Sequence, residues 1–75
     1  MKINILGLDY EVIAKNNPII NNEVVNGYIS YQKNEIVINE NIPKQRQNVT
    51  TLHEIIHGIL DALGLNVNSE NENLV

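Results

Sequence analysis

The segment VTTLHEIIHGILDAL, residues 49–63, decides the fold. Its apolar residues recur at spacings of three and four, the pattern of an α-helix that buries one face. Those residues are Val49, Leu52, Ile56, Ile59, Leu60 and Leu63. Pro43 suits a helix start because the N–H that it lacks is not needed there, and Gly64 suits a helix stop. We therefore predict one long helix over about residues 43–64, buried along this apolar face.

The chain before this helix alternates apolar and polar residues with a period of two, which indicates short β-strands. The alternation covers residues 2–5, 10–15 and 35–39, and a further strand surrounds Gly27, a candidate point of close backbone approach. Residues 16–22 are rich in Asn and contain Pro, which indicates a loop. We predict an α+β fold: a mostly antiparallel meander of three or four strands within about residues 2–39, packed on the helix.

Length and composition limit the classes of function. A single domain of 75 residues buries only about 60% of the surface that its unfolded chain exposes. Such domains often gain stability from a disulfide, a metal or a partner subunit. The absence of Cys removes the disulfide and is typical of a cytoplasmic protein. The net charge of −4 leaves no basic surface for nucleic acid. No apolar run approaches the roughly 20 residues of a membrane span. We expect a cytoplasmic protein that binds neither nucleic acid nor membrane.

His53-Glu54-Ile55-Ile56-His57 is an H-E-x-x-H motif, and it contains both histidines of the chain. Residues four apart on a helix lie one turn above each other, so both imidazoles can reach one zinc ion. Zinc lowers the pKa of water that it binds to about 7. Glu54 can take the proton as the water attacks a carbonyl and deliver it to the leaving amine. The alternative is a pair of partly exposed histidines beside a solvated glutamate.

A catalytic zinc site needs a third protein ligand, and the absence of Cys and of further His leaves only acidic candidates. Glu72 is the first choice because a helix beginning there could fold back over the motif. It is also the last residue of Ser69-x-x-Glu72, which has the form of a capping box. Glu70 is the alternative ligand. Asp61 lies one turn past the motif, where its short side chain reaches the metal poorly.

The run TLHEIIHGI, residues 51–59, together with the strands before it and the Glu-x-Leu-Val stretch at 72–75, resembles the ImmA/IrrE zincin group. These proteins are encoded by phages and mobile elements and are similar to gluzincins. The resemblance implies a zincin-like minidomain in which Zn²⁺ is held by His53, His57 and Glu72, with Glu54 as the base. It also implies cleavage of a repressor-type protein. Relatives continue beyond the helix that carries the third ligand. That helix would begin here at about residue 69, so we expect a C-terminally truncated member.

These observations predict a zinc-dependent metallopeptidase. Its protein or peptide substrate would lie extended along an edge strand, either Glu35–Asn39 or Tyr28–Tyr31, by strand addition. One alternative is a regulatory module that binds zinc, or no longer does, and cleaves nothing. Another is a plain interaction domain, such as a homodimer whose small core is completed by the second subunit.

Overall fold

The computed structural model describes residues 1–65. Its elements are β1 (Lys2–Ile5), β2 (Leu8–Lys15), β3 (Ile19–Ile20), β4 (Glu23–Val24), β5 (Gly27–Ser30), β6 (Glu35–Asn39) and α1 (Lys44–Ala62). The α+β class, the mostly antiparallel four-stranded sheet and the single long helix against it are confirmed. The second helix predicted over about 69–75 lies outside the described residues. No helix within residues 1–65 is long and apolar enough to cross a membrane.

The four-stranded sheet has the order β1-β2-β6-β5. The two outer pairs are antiparallel, whereas β2 and β6 are parallel, with Glu11 opposite Glu35 and Lys15 opposite Asn39. The predicted meander is therefore wrong, because β6 lies between β2 and β5. The physical reason is burial: Ile36, Val37 and Ile38 form a continuous apolar run whose members are all at most 5% exposed. Such a run is typical of a central strand covered on both faces, whereas a strand covered on one face alternates apolar and polar residues.

Two tight turns are made by residues with positive φ. Leu6 (φ 50°) and Gly7 (φ 93°) join β1 to β2, and Asn21 (φ 52°) and Asn22 (φ 66°) join β3 to β4. Positive φ at both central residues defines the type I′ turn, which matches the twist of a hairpin, and asparagine adopts this conformation more readily than most residues. The segment 16–22, predicted as a loop, thus contains the start of a short hairpin.

The ends of α1 follow the local sequence. Pro43 occupies the N-cap position, and Gly64 has a φ of 74°. The Leu65 N–H donates to the Leu60 carbonyl at 2.8 Å, and the Gly64 N–H donates to the Asp61 carbonyl at 3.0 Å. This pair of bonds is the Schellman arrangement, which satisfies carbonyls that the helix itself leaves open. The expected stop at Gly64 is confirmed.

The face that α1 turns toward the sheet differs from the predicted one. Five residues of the apolar stripe are 37–59% exposed: Val49, Leu52, Ile56, Ile59 and Leu63. The buried residues of α1 are instead Thr50, Glu54, His57 and Gly58. The prediction was wrong because helical periodicity shows which face is apolar, whereas the docked face also depends on which side chains permit a close approach.

Two glycines permit that approach. A Cβ atom at Gly27 would lie 2.7 Å from Thr50 Cγ2 and 2.7 Å from the Val37 carbonyl oxygen. A Cβ atom at Gly58 would lie 2.8 Å from the Cδ1 of Ile5. Real Cβ atoms do not come so close to other heavy atoms. The helix therefore packs on the sheet at the two points where a glycine has no Cβ atom. Gly27 is confirmed as a close-approach point. Gly58 faces the side chains of Ile5 and Ile29 in the sheet.

Candidate metal and catalytic site

The two motif histidines converge on one point. His53 Nε2 and His57 Nε2 are 3.1 Å apart, and the ring centroids are 4.7 Å apart with the ring planes at 74°. Two imidazole nitrogens at about 2.0–2.1 Å from a shared tetrahedral zinc ion would be separated by roughly 3.3–3.4 Å. The observed separation is close to that value. The histidine pair therefore fits as two ligands of one ion.

The same pair can also share a proton. A neutral imidazole has one N–H donor and one acceptor nitrogen, and 3.1 Å is within hydrogen-bond distance. One ring can thus donate to the other, with the roles set by the tautomers. His57 is only 4% exposed and His53 is half-buried, so the rings are held largely within the protein. This burial preorganises the two nitrogens, because little side-chain freedom is left to lose when an ion binds.

Glu54 lies inside the protein, with 4% of its surface exposed and its Oε1 atom shielded from solvent. The solvated glutamate of the alternative interpretation is therefore wrong. Removing a carboxylate from water is costly, and buried ionisable groups concentrate at functional sites. Glu54 follows His53 directly in the motif, and both line the same cleft. The site thus combines two converging imidazoles with an adjacent buried carboxylate.

A cleft of about 450 Å³ opens between α1 and the segment that leads into β5. Its volume lies in the range of small-ligand pockets. One wall is formed by Val24, Val25, Asn26 and Gly27, and the other by Arg46, Val49, Thr50, His53 and Glu54. The two walls meet where Gly27 approaches Thr50. The sequence did not reveal this cleft, because its first wall comes from a loop and a strand whose place depends on the sheet order.

Tyr31 links the sheet to the motif. Its hydroxyl donates to the carbonyl oxygen of His57 at 3.5 Å, the outer limit for such a bond. The side chain also packs against the core cluster formed by β1, β2 and β6. The β5–β6 loop thereby contacts the helix at the second histidine. The sequence pattern assigned Tyr31 only to a candidate edge strand, because nothing in the periodicity reveals a contact with a backbone carbonyl.

Within residues 1–65, no group of three His, Cys, Asp or Glu side chains is placed to hold a metal ion. Glu72 and Glu70, the two candidates for third ligand, lie outside these residues. Asp61 acts electrostatically on a different neighbour: burial raises the pKa of the Tyr10 phenol, and the carboxylate of Asp61 raises it further. Asp61 is thus close enough to Tyr10 for their charges to interact.

The chain matches the model of the Peptidase_M78 family, described as the IrrE N-terminal-like domain, over residues 7–74. The match includes most of the sheet as well as the motif helix. No curated protein and no solved structure gives a significant match. Because the matched residues span nearly the whole chain, the protein belongs to the Peptidase_M78 family of IrrE N-terminal-like domains.

Proposed function

We propose that this protein is a zinc-dependent metallopeptidase that hydrolyses peptide bonds, with His53, His57 and Glu72 as metal ligands and Glu54 as the base. The observation that carries the proposal is the 3.1 Å approach of the two Nε2 atoms beside a buried carboxylate. Membership of a peptidase family supports it. The cleft lined by His53 and Glu54 supplies room for a substrate.

The residues of the site have distinct tasks. When bound, zinc supplies Lewis acidity, which polarises a carbonyl and makes water more acidic. The Glu54 carboxylate accepts a proton from the attacking water and later delivers it to the nitrogen of the leaving amine. Because Glu54 is buried, solvent weakens its interaction with a proton donor less than it would at the surface. The enclosed position of His57 holds its ring in one orientation.

The sheet order favours one of the two strands considered for substrate binding. β6 pairs with β2 on one side and with β5 on the other, so Glu35–Asn39 has no open edge. Among the described residues, β5 pairs with β6 alone. The Asn39 N–H donates to the Asn26 carbonyl at 2.8 Å. The alternation of an antiparallel pair then directs the backbone groups of Gly27 and Ile29 away from β6. We propose that an extended substrate pairs there, alongside the cleft.

The open edge of β5 supports a proposal for the class of substrate. An open strand edge recognises main-chain groups, which any extended polypeptide segment offers. A flexible segment of a folded protein therefore suits the site. The resemblance to ImmA/IrrE proteins favours a repressor-type regulator of a phage or mobile element as that protein. The reaction would then take place in the cytoplasm, where such regulators act.

The first prediction concerns Glu54. We expect Glu54→Gln to lower the rate of hydrolysis of an unfolded test protein by at least about 100-fold, because the amide has nearly the same shape but cannot accept the proton. Zinc binding, measured by calorimetry, should be retained. Glu40→Gln, an exposed change of the same chemistry, is the control and should leave the rate unchanged. Equal activity of Glu54→Gln and the unmodified protein would refute the assignment of the base.

The second candidate function is a module that binds a regulator without cleaving it, and it is favoured by the two-histidine set found within residues 1–65. Glu72→Ala tests it, with Glu70→Ala as the matched control. We expect Glu72→Ala to weaken zinc binding at least about tenfold in calorimetry, because a ligand is lost, and Glu70→Ala to change it little. A loss confined to Glu70→Ala would transfer the role to that residue. No loss in either variant would favour the non-cleaving module.

The third prediction concerns the strand edge. A peptide bound to the Glu54→Gln variant should slow hydrogen exchange at the Gly27 and Ile29 amides, because strand addition gives both groups new partners. The amides of β1, the other outer strand, provide the internal control and should exchange as before. Protection at β1 instead of β5 would contradict the proposed binding edge.

A further inference from the structure

One face of α1 carries a seam of apolar side chains that nothing within residues 1–65 covers. The α1 seam consists of Val49, Leu52, Ile56, Ile59 and Leu63, each between 37% and 59% exposed. The successive spacings of three, four, three and four are those of the a and d positions at which two helices interlock. We propose that the α1 seam binds a second copy of this chain, with α1 packing on α1 across a two-fold axis.

The spacing of the α1 seam indicates a helix as its partner, because a and d side chains fit the holes of a facing helix. Within residues 1–65, α1 is the only helix, and its opposite face packs on the sheet. The seam runs over residues 49–63, about 21 Å along the axis. Residues 66–75 offer only three apolar side chains, those of Val67, Leu74 and Val75, against the five of the seam. The helix of another copy matches the seam in both length and apolar content.

The charges around the α1 seam also favour a second copy of the chain as the partner. With a net charge of −4, two copies repel each other in general. The helix positions that flank the seam over residues 48–62 are, however, formally uncharged: Asn48, Ile55 and Ala62 on one side, and His53 and Leu60 on the other. A two-fold contact brings identical patches together, and this patch places no like charges opposite each other. In an antiparallel pairing of the two helices, Ile56, the middle residue of the seam, lies closest to the axis.

The size of the α1 seam sets the expected affinity of the two copies for each other. One helix face per subunit lies at the small end of specific interfaces, so the dimer should dissociate on dilution. The contact would add apolar burial to a core in which, within residues 1–65, the buried hydrophobic residues are Ile5, Tyr10, Ile36, Val37 and Ile38. Val49 belongs both to the seam and to the cleft wall, so a second copy would lie at the rim of the cleft. The inference depends on the seam alone and does not require peptidase activity.

Cross-linking tests the proposal directly, because the chain contains no Cys and a single one can be introduced cleanly. A disulfide forms only where two Cα atoms come within about 7 Å, so Ile56→Cys should link near the axis. Lys33→Cys, at an exposed site in the β5–β6 loop, is the control. Under mild oxidation we expect at least about tenfold more cross-linked dimer from Ile56→Cys than from Lys33→Cys. Equal yields would overturn the proposal.

Sedimentation of the unmodified chain provides the second measurement. Between about 1 and 200 µM, the average mass should rise toward that of a dimer. Ile56→Glu should weaken the association at least about tenfold, because it places two carboxylates at the axis. Circular dichroism should show its helix intact, since Ile56 is exposed in the single chain. A monomer throughout the range, or a dimer unaffected by Ile56→Glu, would overturn the proposal.

Discussion

The close docking of α1 on the sheet is the constraint on which the rest of the structure depends. Gly27 and Gly58 each leave space where a Cβ atom would collide with the opposing element, and the helix lies at that place. This orientation carries Glu54 and His57 inward and brings His53 beside them. It also brings the segment before β5 against the helix, which creates the cleft. The candidate site and its access therefore arise from one packing arrangement.

The same docking has an energetic cost. The buried face of α1 and the α1 seam lie about half a turn apart around the helix axis. Hydrophobic burial alone would favour the opposite orientation, because it would remove five apolar side chains from water and return a carboxylate to it. A fold that buries ionisable groups and exposes apolar ones departs from the usual rule, and such departures are expected at functional sites. The proposed metal site accounts for the inward face, and the proposed dimer accounts for the outward one.

Local sequence patterns predicted the features that depend only on residues near each other in the chain. Pro43 and Gly64 marked the ends of α1, and the H-E-x-x-H spacing placed two imidazoles on one side of a helix. The sheet order could not be obtained in this way, because alternation within a strand does not identify its neighbours. Val37 illustrates the limit: period-two alternation places it on the opposite side of its strand from Ile36 and Ile38, yet all three residues are buried. The short hairpin at Asn21 and Asn22 was not predicted, because asparagine-rich segments occur both in loops and in the tight turns of hairpins.

X-ray absorption at the zinc edge of the loaded protein tests whether the two histidines converge on one zinc ion. We expect two imidazole nitrogens among the ligands, at about 2.0–2.1 Å, with oxygen donors completing the shell. Replacing His57 with Ala should remove one imidazole from the spectrum. A zinc ion surrounded only by oxygen, or one bound through a single imidazole in the unmodified chain, would contradict the account.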